Sequence, residues 1–96
     1  MAQAEIEVRN PSGLHARPAA TFVRAASAFA SDVRVTNLSR DEATSASAKS
    51  VLGVMGLGVG RGHRIRLEAV GDDDEPAIAS LVALIASGLG ETLDAE

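Results

Sequence analysis

His63-Arg64-Ile65-Arg66-Leu67-Glu68-Ala69-Val70 alternates charged and aliphatic side chains almost without a break. Successive side chains of a strand point to opposite faces, so this segment predicts a strand that buries Ile65, Leu67 and Ala69 and leaves Arg64, Arg66 and Glu68 in water. A sheet with one solvated face is typically antiparallel, and its other face has to be covered by helices. Upstream, Gly58, Gly60 and Gly62 break the chain before the strand begins. Downstream, Asp72-Asp73-Asp74-Glu75-Pro76 opens a helix with acids at its positive end and a proline in its first turn. Ile78, Leu81, Val82 and Ile85 supply that helix's apolar stripe, and Gly88 and Gly90 end it.

The first half of the chain uses the same two periods. Ala4-Glu5-Ile6-Glu7-Val8 is a second alternating strand, Asn10-Pro11-Ser12-Gly13 a turn, and Ala19, Phe22, Val23, Ala26 and Phe29 recur at helical spacing. Asp32-Val33-Arg34-Val35-Thr36 alternates again. A polar turn from Asn37 to Asp41 and a short return strand from Glu42 to Ser45 make it a hairpin. Ser47 to Leu57 predicts a short helix whose Val54 and Leu57 face the core. The order strand, helix, strand, strand, helix, strand, helix implies an α+β fold: one sheet covered on one face, in a single domain over residues 1–90. Residues 91–96 read as a short, frayed acidic tail.

Composition narrows the function. Phe22 and Phe29 are the only aromatic residues among 96, so the core is aliphatic and offers no deep aromatic pocket for a cofactor. With no cysteine there is no thiolate nucleophile, zinc cluster or disulfide, which fits a reducing cytosol. Residues 1–10 lack the basic and apolar regions of a leader, and no stretch has membrane length, so a soluble cytoplasmic protein without membrane insertion is expected. The formal net charge of −4, with Lys49 the only lysine, argues against nucleic acid. A protein or small anionic partner is expected instead.

The chemistry concentrates in Ser12-Gly13-Leu14-His15-Ala16-Arg17-Pro18. A histidine here lies where a loop becomes a helix, and the unpaired N–H groups of a first helical turn, with the positive dipole end, favour an anion beside the imidazole. Arg17 adds a guanidinium able to grip phosphate oxygens through two parallel hydrogen bonds. Pro18 needs no partner for a missing N–H at a helix start. Ser12, Ala16 and Arg17 therefore form a candidate phosphate cradle around His15. A lone histidine at a helix start is as readily a cap or an ordinary surface residue. The residues alone leave both readings open.

Gly13-Leu14-His15-Ala16-Arg17-Pro18-Ala19 resembles the active-site signature of the HPr phosphocarriers, and Ala48-Lys49-Ser50-Val51-Leu52-Gly53-Val54-Met55-Gly56-Leu57-Gly58 resembles their second signature. Gly88-Leu89-Gly90-Glu91 is similar to the ending of Gram-positive members. The resemblance implies an open-faced sandwich with four antiparallel strands in the order 1-4-2-3 and three helices on one side. It also implies a stoichiometric carrier, not an enzyme: enzyme I, phosphorylated by phosphoenolpyruvate, would phosphorylate His15 on Nδ1, and sugar-specific enzyme II A domains would receive the group with help from Arg17. Neither metal nor cofactor is implied, and a monomer is expected. The chain departs from the family in a longer turn from Asn37 to Thr44, in Gly56 where Gram-positive relatives often have serine, and in a short helix with few lysines.

The family's Gram-positive branch phosphorylates the serine matching Ser50 through HPr kinase/phosphorylase, although a serine there is also a good helix N-cap. Both roles stay open. A docking face around His15 is expected from Arg17, Ala20, Thr21, Arg24 and Ala28 on one helix and Val51, Leu52 and Met55 on the other. His63 reads as a surface residue at the start of its strand, and Gly53 to Gly62 match neither a P-loop nor a dinucleotide fingerprint. A regulatory HPr-like module without carrier activity, and a carrier in a nitrogen-related or dihydroxyacetone branch, remain the alternatives.

Overall fold

The alternation through Arg64–Val70 becomes the central strand of the sheet, since a strand that buries three aliphatic residues on one face gains most with a partner on either edge. In the computed structural model, which describes residues 1–91, the elements are β1 (Ala2–Glu7), α1 (Ala16–Ser27), β2 (Asp32–Asn37), β3 (Ser45–Ser47), α2 (Val51–Gly56), β4 (Arg64–Val70) and α3 (Asp74–Ala86). The sheet order is β1-β4-β2-β3, with every neighbouring pair antiparallel. This is the open-faced α+β architecture that the resemblance implied. Among the described residues no helix is long and apolar enough to cross a membrane.

Register decides what each face carries. Ile65, Leu67 and Ala69 lie opposite Ile6, Ala4 and Ala2 on one side and Asn37, Val35 and Val33 on the other, and their shared face is the floor of the core. Phe22, Val23 and Ala26 of α1 and Ala77, Ile78, Leu81 and Ile85 of α3 cover that floor. Phe29 and Val82 pack at its edge, half-buried. On the wet face Glu5 sits between Arg64 at 3.5 Å and Arg66 at 3.6 Å. These exposed pairs neutralise the surface and add little stability.

Two elements differ from the sequence reading. The return strand begins at Ser45 instead of Glu42, because Asp41 holds the turn open to Thr44: its carboxylate accepts the Ala43 N–H at 3.0 Å and the Thr44 hydroxyl at 2.6 Å. The short helix begins at Val51 instead of Ser47, because Ser45–Ser47 is drawn into pairing with β2 and Ser50 then caps the next turn by accepting the Gly53 N–H at 3.0 Å. Local side-chain bonds overrode periodicity at both places.

The acids before α3 do more than face its dipole. Asp73 is the N-cap residue, yet its carboxylate turns away from its own helix and accepts the N–H groups of Ala30 and Ser31, each at 2.8 Å, and the Ser31 hydroxyl. It thereby clamps the segment between α1 and β2 onto α3. The Ser31 hydroxyl and then the Ala30 N–H hold the Asp73 carboxyl below its ordinary value of 3.8. A carboxylate depressed in the folded state contributes stability above its unfolded pKa and loses it as pH falls through the folded one. The gap in unfolding midpoint between wild type and Asp73→Asn should therefore be widest near neutrality and close on acidification well below pH 3.8; a gap independent of pH would show that charge on Asp73 is irrelevant.

The loop entering α1 runs close against the backbone at Val59. Gly13 has φ +61°, and a Cβ placed there would lie 2.3 Å from the Val59 carbonyl oxygen. Both the left-handed conformation and the backbone contact exclude a side chain. Gly13→Ala should lower stability by about 2 kcal/mol or more, read from denaturant unfolding.

Candidate functional site

The segment carrying His15 is an arch between two buried anchors. In front, Leu14 is fully buried and its N–H donates to the Val59 carbonyl at 3.0 Å. Behind, Pro18 and Ala19 are buried in the first turn of α1. His15, Ala16 and Arg17 between them are exposed. Ala16 adopts φ +53°, a left-handed conformation that costs an alanine about 1–2 kcal/mol and persists because both ends of the arch are fixed.

His15 is the N-cap residue of α1, with extended backbone at φ −139° and ψ 149°, but its side chain makes no capping bond. The capping role that the histidine might have filled is therefore not taken up. The imidazole is exposed, the first-turn N–H groups have no intrahelical acceptor, and the guanidinium of Arg17 is two residues away on the same exposed arch. An exposed imidazole, the N–H groups of a first helical turn and an exposed guanidinium thus follow one another along the same short stretch of chain, a set of groups suited to an anion.

Ser12, expected in the phosphate cradle, is bonded to Glu91. Its N–H donates to Glu91 Oε1 at 2.9 Å and its hydroxyl to Oε2 at 2.8 Å. Asn10, fully buried, donates its side-chain amide to the Gly13 carbonyl at 2.9 Å and to Glu91 Oε1 at 3.0 Å, while its own Oδ1 has no partner among the described residues. The Asn10 amide, then the Ser12 N–H and hydroxyl, hold the Glu91 carboxyl below its ordinary value of 4.5, with a smaller Coulomb pull from Arg17. Glu91 is thus tied to the loop that leads to His15 and is no frayed residue. Residues 92–96 of the expected tail lie outside the described residues. Sequence reasoning missed both Asn10 and Glu91 as site residues, since Asn10 reads as a turn former and nothing local to either one names the other.

Helices α1 and α2 pack against each other. This brings Ser50 and the apolar residues of α2 to the side of α1. Leu52 is 84% exposed and Val51 39%. Met55, Ala20 and Thr21 are half-buried, while Arg24 and Ala28 are exposed. Val54 and Leu57 point into the core, as their spacing predicted. Ser50 is exposed, and its oxygen accepts the Gly53 N–H, so the capping role is present and the hydroxyl stays accessible. His63 is more than a surface residue: it is half-buried, its Nδ1 accepts the Gly60 N–H at 3.1 Å, and the Asn37 amide lies 3.1 Å from the same atom.

Comparison with known proteins agrees with this geometry. The family model described as the PTS HPr component phosphorylation site matches residues 2–87. The chain is 47% identical over 88 residues to the multiphosphoryl transfer protein of Haemophilus influenzae, covering 92% of this chain but only 17% of that protein. It is 40% identical over 85 residues to the HPr-like protein Crh of Bacillus subtilis, covering 88% of this chain and 95% of Crh, and a crystal structure of Crh as a swapped dimer superposes with a TM-score of 0.69 at 39% identity over 92% of this chain and 97% of that one. The crystal structure of HPr-C-His from Thermoanaerobacter tengcongensis superposes with a TM-score of 0.88 at 47% identity, covering 96% of this chain and 99% of that one. With the family model spanning nearly the whole described fold, the chain belongs to the HPr phosphocarrier family of the phosphotransferase system.

Proposed function

We propose that the chain accepts a phosphoryl group from phosphorylated enzyme I on His15 Nδ1 and hands it to sugar-specific enzyme II A domains. The observation that carries this reading is the exposed imidazole at the head of α1, which makes no capping bond although it occupies the capping position. In the transfer, the Nδ1 lone pair attacks phosphorus, the bond from phosphorus to the donor's nitrogen breaks, and the electron pair returns to the donor ring. Onward transfer reverses these roles, so the protein is a stoichiometric carrier. Arg17 and the first-turn N–H groups hold the equatorial oxygens in both directions. A regulatory module on this fold has no need of an unencumbered nucleophile at position 15, which favours the carrier. The working form is taken to be a cytoplasmic monomer, and light scattering distinguishes it from a swapped dimer of the kind seen for Crh.

Partner choice follows from charge. The chain has 13 acidic residues, yet none lies within Ala16–Ser27, the helix whose N-cap residue is His15, or Val51–Gly56, the helix packed against it. That face offers Arg17 and Arg24 around Val51, Leu52 and Met55, which suits acidic partners that must dock and leave quickly. A phosphate on Ser50 would add about −1.5 to −2 charge in the middle of it. HPr kinase/phosphorylase is the enzyme class that would place it.

Incubation with enzyme I and labelled phosphoenolpyruvate should give one acid-labile, alkali-stable label per chain, absent from His15→Ala. Arg17→Ala should fold and accept the label about tenfold more slowly or worse. Label on a serine, or none on folded wild type, would overturn the reading. Arg24→Glu and Ser50→Asp should raise the KM for enzyme I with little change in kcat. Both effects should shrink as salt shortens the screening length to about 10 Å at 0.1 M and below that at higher salt. Unchanged KM at low salt would place the docking face elsewhere.

A further inference from the structure

The Glu91 carboxylate lies against the loop that delivers His15, although a site meant to receive a phosphoryl anion would be expected to keep carboxylates away. Its two oxygens take up the N–H and hydroxyl of Ser12 and the side-chain amide of Asn10, at 2.8 to 3.0 Å. Arg17 also pulls on it through space. Asn10 is the buried partner in this group: it is fully enclosed, and its second amide bond, to the Gly13 carbonyl, ties the carboxylate to the turn immediately before Leu14 and His15. One carboxylate therefore takes up both the N–H and the hydroxyl donor of Ser12, which would otherwise be free to serve a phosphoryl group on His15.

Two consequences follow from elementary electrostatics. A fixed negative charge bonded to the loop that delivers the acceptor repels an incoming group of nearly two negative charges, and it competes with that group for the Ser12 N–H and hydroxyl. The same carboxylate holds the loop when no phosphoryl group is present. We propose that Glu91 is a positioning residue that sets how readily His15 parts with its phosphoryl group: it latches the Asn10–Gly13 loop in the unphosphorylated protein and keeps the phosphorylated state from becoming too stable to pass on. This rests on the carrier reading above. The coupling is reciprocal, so phosphorylation of His15 must weaken the bonds between Ser12 and Glu91 by the factor by which Glu91 disfavours phosphorylation.

A purely structural anchor predicts something else. If Glu91 only fastens the chain after α3, removing its charge lowers stability and leaves the phosphoryl equilibrium where it was. The two roles separate when wild type, Glu91→Gln and Glu91→Asp are each equilibrated with enzyme I at a fixed ratio of phosphoenolpyruvate to pyruvate, and the phosphorylated fraction is measured by intact mass at alkaline pH. Glu91→Gln should shift the ratio of phosphorylated to free protein several-fold upward, and Glu91→Asp, which keeps the charge, should return most of the way to wild type. The Ser12 amide resonance of wild type should move on phosphorylation towards its position in Glu91→Gln. An unshifted equilibrium in folded Glu91→Gln overturns the inference, and so does a Ser12 amide indifferent to phosphorylation, a readout that needs no variant. Wild type that enzyme I fails to phosphorylate at all overturns the carrier reading itself, and the inference with it.

Discussion

A left-handed alanine at the head of a helix survives only if the chain on both sides of it has nowhere else to go, and the His15 arch depends on that constraint. Leu14 is buried and bonded to the Val59 carbonyl in front, Pro18 and Ala19 are buried behind, and Ala16 takes the strain between them. The front anchor needs Gly13, because Val59 comes closer there than any side chain permits. Val59 is held in turn by the loop leading into β4, where the Val8 N–H bonds the His63 carbonyl and the Gly60 N–H bonds the His63 ring. The geometry of the His15 arch thus rests on the central strand through a short run of backbone contacts, with the helices closing it from one side.

The parts of this arrangement that obey a local period were legible before the structure. The central strand, the stripes of α1 and α3 and the one-sided sheet follow from spacing and from the scarcity of large side chains, since an aliphatic core of this size has few ways to be covered. Side-chain bonds to nearby backbone were less visible: Asp41 delayed β3 and Ser50 delayed α2, each by trading a periodic position for a capped one. Least visible was the meeting of Asn10 with Glu91, residues 81 apart in sequence. The local sequence around Asn10 is that of a turn and the sequence around Glu91 that of a chain leaving a helix, so only their packing shows that they form one site.

Charge is distributed with the same economy. The chain has a net charge of −4, yet it holds several of its carboxylates in internal bonds: Asp73 on the Ala30–Ser31 backbone, Asp41 in its own turn, Glu91 on Ser12 and Asn10, and Glu5 between two arginines of β4. Lys49, the only lysine, donates to the Phe29 carbonyl at 2.7 Å and is likewise committed to the fold. What remains exposed on α1 is arginine, next to aliphatic residues of α2. The overall charge keeps the protein soluble, and the local charge sets which surface a partner meets first.

A carrier faces opposing demands at a single atom. Donors that bind a phosphoryl group firmly speed its arrival and slow its departure, and a difference of about 1.4 kcal/mol in that binding changes the transfer equilibrium tenfold. On the carrier reading proposed above, strain in Ala16 and the Glu91 carboxylate on Ser12 would both act against over-tight binding, the first by keeping the arch from relaxing around the group and the second by occupying donors the group could use. The strained arch is built into the unphosphorylated fold and costs stability that the anchors at Val59 and Pro18 must supply, whereas the bonds of Glu91 help to hold the loop. That makes the tight, glycine-dependent approach of the loop to Val59 a condition for easy release of the phosphoryl group as well as for its capture.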